Sequence, residues 1–378
     1  MTDERRTPRT NASRNAARGG AQQYAAERKA AQARRQRSMA QAERRTTADE
    51  VRAAEPAPTA AGHGGPEGES PTPSSYLDLP EGYKAGFACF VGRPNAGKST
   101  LTNALVGAKI AITSGRPQTT RHTVRGIVHR PDAQLVLVDT PGLHRPRTLL
   151  GERLNDQVRA TWAEVDVIGF CLPASERIGP GDRYLAAELA SAGQTPVVAI
   201  VTKTDQVSRD QVAAQLAATG KLGDWADVVP VSAVSGFQLD VLADVLVSHL
   251  PAGVPLYPDG DLTDEPEQQL VAELIREAIL EGVRDELPHS IAVVVEEMAP
   301  HPGRTDLIDV HALMYVERSS QKAIVIGAKG ARLKEVGTQA RRQIEALLGT
   351  RVYLDLRIKI AKDWQRDPKQ LRRLGFYD

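Results

Sequence analysis

The sequence predicts an α/β domain with a mostly parallel sheet, followed by a smaller α+β domain and preceded by a long charged extension. Three observations carry this. Short apolar runs alternate with helix-length amphipathic stretches from Ala85 to Leu250, the pattern changes after a Pro/Gly-rich segment at residues 251–266, and residues 1–82 show no apolar periodicity. A chain of 378 residues has room for two domains of ~100–200 residues beside such an extension. Cys89 and Cys171, the two cysteines, both fall in apolar runs expected to be buried strands. That argues against a disulfide framework or a cysteine metal site and points to the reducing cytoplasm. No stretch nears the ~18 uninterrupted apolar residues of a membrane span, and the N-terminus lacks the apolar core of a secretory signal, so a soluble protein is expected.

The near-neutral total charge conceals segregation. Residues 1–45 hold 12 Arg/Lys and 4 Asp/Glu, whereas residues 46–81 hold 1 and 7. Both are rich in Ala, Arg, Gln, Pro, Gly and Ser and cannot bury enough apolar surface to offset ordering entropy, so residues 1–82 are expected to be a disordered extension.

The next unit, residues 83–250, reads as strands at Phe87 to Val91, Leu135 to Val138, Val165 to Leu172, Val197 to Val201 and Val228 to Val231, separated by helix-length segments. Ligands of such a sheet collect at the C-terminal ends of its strands. The first strand runs into Gly92-Arg93-Pro94-Asn95-Ala96-Gly97-Lys98-Ser99-Thr100, which contains G-x-x-x-x-G-K-[ST] in the required strand-loop-helix setting. Its glycines let successive N–H groups turn toward phosphate oxygens; Lys98 neutralises the β/γ-phosphates and Ser99 ligates Mg²⁺. Asp139-Thr140-Pro141-Gly142 closes the second of these strands, placing a carboxylate where it holds Mg²⁺ through water and an N–H at Gly142 suited to sensing a γ-phosphate.

Two further strand ends select the base. Thr202-Lys203-Thr204-Asp205 follows Val201, and Ser232-Ala233 follows Val231. A carboxylate at Asp205 accepts from N1–H and the 2-amino group of guanine, donors that adenine does not offer in that arrangement. Lys203 can lay its stem along the ring, and the Ala233 N–H can donate to O6. GTP and GDP are therefore favoured over adenine nucleotides.

This ordered set resembles that of the translation-factor-class GTPases, and Gln118-Thr119-Thr120-Arg121-His122 resembles the switch element of one family, Era. The likeness runs from about Ala85 to Asp378 and includes the phosphate loop and Asp-Thr-Pro-Gly-Leu-His at 139–144. It implies that Thr120, rather than Thr119, completes Mg²⁺ coordination, and that Lys98, Thr120 and Gly142 carry the catalytic roles. A Der-type GTPase is disfavoured because the chain holds one phosphate loop. Thr202 stands where this class usually has Asn, so only part of that residue's bonding to the phosphate loop is expected. Leu143 stands where Ras-type GTPases have a water-orienting Gln, so slow intrinsic turnover is expected unless backbone groups, His144, a potassium ion or a bound partner supplies the missing function.

Residues 251–266 read as a linker, and residues 267–378 as a second domain. Its order is a helix (Gln268 to Arg284), strands (His289 to Glu297 and Leu307 to Glu317), a short apolar segment (Lys322 to Ile326), a long helix (Ala331 to Leu348) and a strand (Val352 to Ile360). Between the last two helical segments stands Gly327-Ala328-Lys329-Gly330, a G-x-x-G loop of the kind that clamps single-stranded nucleic acid in KH domains. Residues 255–326 carry 5 basic and 15 acidic side chains, whereas residues 327–378 carry 13 and 6, so the loop marks a change of sign. Lys329, Arg332, Lys334, Arg341 and Arg342 are the expected phosphate contacts. The resemblance implies a KH type II domain and single-stranded RNA near the 3′ end of small-subunit ribosomal RNA, in the small-subunit precursor, as the partner. A monomer without DNA binding is expected. A transient contact between the basic segments and an anionic membrane is compatible with the charge pattern, although no amphipathic anchor with a clear apolar face is present. The rival reading is a slow guanine-nucleotide sensor that serves as an RNA-binding assembly scaffold.

Overall fold

The computed structural model describes residues 79–113, 119–143, 148–191, 193–281 and 290–376; most of the N-terminal extension, Gln118 and His144 lie outside these. The first domain is built in the order β1 (Lys84–Val91), α1 (Lys98–Val106), β2 (Val124–His129), β3 (Ala133–Asp139), α2 (Leu149–Trp162), β4 (Val167–Pro173), α3 (Pro180–Ser191), β5 (Val197–Thr202), α4 (Arg209–Gly220), β6 (Asp227–Pro230) and α5 (Leu239–Ser248). Its sheet runs β2-β3-β1-β4-β5-β6, parallel except for β2 against β3. The spacing in Val124–His129 is too broken by Arg125, Gly126 and His129 to announce a strand. It forms β2 because it pairs with β3 from Val124↔Asp139 to His129↔Gln134.

Both faces of this sheet are covered, which is why its central strands are almost wholly apolar rather than alternating. Every residue of β3 and β4 is buried. Ala88 and Phe90 face a cluster with Leu101, Leu242 and Leu246, while Cys89 and Val91 face one with Val158, Trp162, Leu185 and Leu189. Burial pushes both cysteine thiols well up, Cys171 to about 12, and both are free.

The second domain follows as α6 (Glu267–Glu281), β7 (Ala292–Pro300), β8 (Leu307–Val316), α7 (Ser319–Ile326), α8 (Ala331–Leu348), β9 (Arg351–Ile360) and α9 (Pro368–Arg373). Its sheet is β7-β8-β9, antiparallel and then parallel. The apolar segment at 322–326 is the end of helix α7. The C-terminal turn and α9 have no counterpart in the sequence reading. Trp364, Leu371, Leu374 and Phe376 pack with Leu150 and Leu154 of α2, so the chain end closes over the first domain.

The proline-rich connection is a strap along the first domain. Ala85 N–H donates to Pro251 O, Gly253 N–H to Tyr83 O, and Ile127 N–H to Leu262 O. At its centre Gln134, fully buried in β3, accepts from the N–H groups of Leu256 and Tyr257 at 2.6 and 2.9 Å and donates to Tyr257 O at 2.9 Å. A buried carboxamide is tolerable only when so satisfied.

Candidate nucleotide cleft and nucleic-acid loop

Strand β1 lies between β3 and β4, where the strand order reverses, and the loop that leaves it turns into α1. Asn95 and Gly97 adopt left-handed φ of 63° and 92°. Lys98 is buried, and its Nζ donates to the Gly92 and Arg93 carbonyls at 3.2 Å. Burial pushes its ammonium pKa down, against the opposing pull of Asp139. The Arg93 side chain turns away to Asp182 Oδ1 at 2.6 Å and Glu176 Oε2 at 3.0 Å, so what this position presents to the cleft is backbone.

Three oxygens meet beside Lys98. Ser99 Oγ donates to Asp139 Oδ2 at 2.7 Å, Thr120 Oγ1 donates to the same atom at 3.1 Å, and the two hydroxyls are 2.9 Å apart. Asp139 is fully buried, its Oδ1 has no hydrogen-bond partner, and burial raises its pKa despite the bond from Ser99 and the nearby Lys98 charge. A buried carboxylate with an unused oxygen beside two hydroxyls is a hard-oxygen donor set, and it fits Mg²⁺.

These groups open onto a cleft of about 400 Å³ whose lining includes Lys98, Ser99, Thr119, Thr120, Gly142 and Lys203. A Cβ at Gly142 would stand 3.2 Å from both Lys98 Nζ and Pro94 N, so a side chain there would push on the lysine. Leu143 turns the other way, into the cluster of Val91, Val138 and Val158. Thr140 faces the sheet, its hydroxyl donating to Phe90 O at 3.3 Å.

Thr202 Oγ1 donates to Ala96 O in the phosphate loop at 2.7 Å, so the hydroxyl does tie the end of β5 to that loop. Ser232 Oγ donates to Asp205 Oδ1 at 2.7 Å, linking the ends of β5 and β6. Asp205 is exposed, and neither it nor Ser232 or Ala233 is among the residues lining the cleft; Lys203 is.

In the second domain, Gly327 ends α7 with φ 70°, Lys329 has φ 51°, and Gly330 opens α8 with φ 80°. A Cβ at Gly327 would stand 2.7 Å from Arg332 Cβ, which only glycine avoids. Lys329, Lys334, Arg341 and Arg342 are exposed and Arg332 is half-buried. At 100° per residue Lys334 and Arg341 share one side of α8, Arg342 lies about 100° round, and Arg332 lies on the opposite side. The basic residues are therefore spread around the uncovered part of the helix instead of forming one stripe.

Family comparisons give residues 87–203 as a match to the family described as 50S ribosome-binding GTPase, and residues 286–365 as a KH domain. The GTPase Era of Streptomyces coelicolor is 72% identical over 302 residues, covering 78% of this chain and 95% of that protein. The chain belongs to the Era GTPase family. The Era of Mycobacterium avium is 70% identical over 296 residues, 78% of this chain and 99% of that one. Among solved structures, a single-residue variant of Aquifex aeolicus Era bound to GDP·AlF₄⁻ matches with TM-score 0.75 and 35% identity, covering 78% of this chain and all of that one. An Era complex with MgGDPNP and nucleotides 1506–1542 of 16S ribosomal RNA matches with TM-score 0.75, 36% identity and the same coverage.

In this Era-family chain the structure also adds residues that motif reading does not reach. Glu281, at the end of α6, lines the same cleft as the phosphate loop, as do Ile112 and Thr113. Arg121 is buried with Nη1 donating to Ile291 O at 2.6 Å, and His122 stacks on Phe376 with ring centroids 4.7 Å apart. Arg121 and His122 lie in the segment that resembles the switch element, but the contacts that fix them come from the second domain, and no local pattern announces those contacts or the place of Glu281, Ile112 and Thr113 in the cleft.

Proposed function

We propose that this RNA-binding GTPase hydrolyses GTP in the cleft and uses its KH domain to hold single-stranded small-subunit ribosomal RNA during maturation of that subunit. The observation that carries the first half is the convergence of Lys98, Ser99, Thr120 and Asp139 at one end of the cleft that Gly142 also lines. Water attacks the γ-phosphate in line, the bond to the β–γ bridging oxygen breaks, and GDP and phosphate leave. Lys98 offsets charge on the phosphate oxygens, the loop N–H groups from residues 92–99 bind the phosphates, and Gly142 N–H meets the γ-phosphate. Ser99, Thr120 and Asp139 would hold Mg²⁺, which when bound would supply positive charge against the transferred group. Asp205, Lys203 and Ala233 choose guanine, and Ser232 fixes the Asp205 carboxylate. With Leu143 in the apolar core, no side chain at that position orients water, and intrinsic turnover is slow.

The RNA reading is supported by the G-x-x-G geometry, the exposed Lys329, Lys334, Arg341 and Arg342, and the relative solved with 16S ribosomal RNA. Among the described residues no helix is long and apolar enough to cross a membrane. The test is steady-state GTP hydrolysis by the full chain in K⁺ and in Na⁺, with and without a short RNA matching the small-subunit 3′ end. Stimulation that disappears in a Lys329→Asp, Arg332→Asp variant is expected. Turnover that stays flat with every RNA would favour the sensor reading, which the position of Leu143 keeps open.

A further inference from the structure

The loop between α1 and β2 delivers Thr120 to the cleft, and α6 grips its described flanks on both sides. Upstream, Glu277 pairs with Lys109 and accepts from Thr113 N–H at 2.8 Å and the Thr113 hydroxyl at 3.3 Å; across α6 it accepts from Gln343 of α8 at 3.1 Å. Downstream, Arg276 Nη2 donates to the Thr119 carbonyl, while its Nε donates to Glu273 Oε1 at 2.9 Å. Two residues further on, Arg121 Nη1 donates to Ile291 O at 2.6 Å and the guanidinium lies 5.8 Å from the Trp364 ring centroid. Thr120 is the single residue between these anchors, and both belong to the second domain.

We propose that Arg276 is a positioning residue for GTP hydrolysis: from α6 it fixes the Thr119 carbonyl and thereby sets the Thr120 hydroxyl against Asp139 and Ser99. The inference rests on the reading of Thr120 as a Mg²⁺ ligand. The geometry favours Arg over Lys because a planar fork can serve Thr119 O and Glu273 at once, whereas an ammonium is one compact donor head on a shorter, flexible reach. A contact made by the second domain on the nucleotide side binds the two halves by linkage. Whatever stabilises Thr120 at the cleft stabilises this docking of α6, and the reverse holds with equal strength. The GTP form should depend on Arg276 and the GDP form should not, because switch-loop ordering follows the γ-phosphate.

The test uses the full chain with Arg276→Lys, Thr120→Ala and both together. It measures the Mg²⁺ concentration for half-maximal hydrolysis, the release rates of a fluorescent non-hydrolysable GTP analogue and of fluorescent GDP, and the melting temperature. Loss of a residue that orients a metal ligand typically costs 10–100-fold, so Arg276→Lys is expected to raise the Mg²⁺ requirement ~10-fold and to speed analogue release. GDP release stays unchanged, and the substitution adds nothing on top of Thr120→Ala. If Thr120→Ala shifts the Mg²⁺ requirement and Arg276→Lys does not, or if Arg276→Lys speeds analogue and GDP release equally, the proposal is overturned. If Thr120→Ala itself shifts neither quantity, the assignment of Thr120 falls and this inference with it. Should Arg276→Lys fail to fold, Glu273→Gln is read in its place: it keeps Arg276 and loosens its hold. A smaller shift in the same direction supports the proposal, and no shift overturns it.

Discussion

Replacing Thr202 with valine removes one hydroxyl and almost no volume, so its consequences report on a single bond. Thr202 Oγ1 donates to Ala96 O at 2.7 Å, and Thr202 is 3% exposed. Removing a buried donor costs ~1–3 kcal/mol when its acceptor loses that partner. The acceptor sits in the phosphate loop, one residue before Gly97 and two before Lys98. Slackening of the loop therefore falls partly on nucleotide binding, where each ~1.4 kcal/mol is a factor of ten. The expected outcome is a nucleotide-free protein less stable by ~1–2 kcal/mol in urea and a GDP Kd weaker by ~5- to 20-fold in calorimetry. Thr202→Asn, which supplies a longer donor as well as an acceptor, is expected to bind GDP at least as tightly as the native chain. If Thr202→Val leaves both stability and GDP affinity unchanged, the bond does not brace the loop and the reasoning fails.

Three other outcomes follow from the same structure. Asp205→Asn exchanges a carboxylate acceptor for a carboxamide and should admit xanthine nucleotides at the expense of guanine; unchanged GTP preference in a competition assay would remove Asp205 from base selection. Burial, helped by neighbouring Asp264, pushes the Glu265 carboxyl from 4.5 up to about 7. Because the folded value is the higher one, the stability this group contributes is complete below about pH 4.5 and is lost as pH rises to about 7. Glu265→Gln should therefore match the native chain near pH 4 and exceed it by ~1–2 kcal/mol at about pH 8, as read by denaturant melts at both values. Leu143→Gln should lower stability by ~1–3 kcal/mol and leave GTP turnover unimproved, since the side chain enters an apolar cluster; a faster enzyme would show that the loop can turn this residue toward the cleft.

What the sequence disclosed was whatever depends on neighbours in the chain. The phosphate loop is one contiguous segment whose glycines and lysine need only a strand before and a helix after, and the alternation of apolar runs supplies both. The same holds for Gly327 to Gly330, where the left-handed residues and the helix start are a few positions apart. Strand β2 escaped because its pairing with β3 supplies order that its own residues do not advertise. The linker was legible as a break in secondary structure but not as a strap, because its fixing point is Gln134, more than a hundred residues earlier.

Helix α6 shows why the junction between domains could not be read. An amphipathic pattern tells which side of a helix is covered by one body, and it assigns charged residues to water. From Leu270 to Leu280 only Glu273 keeps partial exposure, so this helix is covered nearly all round. Its apolar residues Val271, Leu274, Ile275, Ala278 and Ile279 fill the KH core, and the side left for Arg276 and Glu277 is taken by the nucleotide domain. Arg276 is tolerable in burial because Glu273 on its own helix pairs with it and the Thr119 carbonyl accepts from it, and Glu277 because the Thr113 N–H and Lys109 reach it; apart from Glu273, these partners arrive from residues more than 150 positions away. A charged pair that reads as a solvated face is thereby the contact through which one domain holds the other's switch loop. The sequence contained the residues, and only the second body could reveal what they bind.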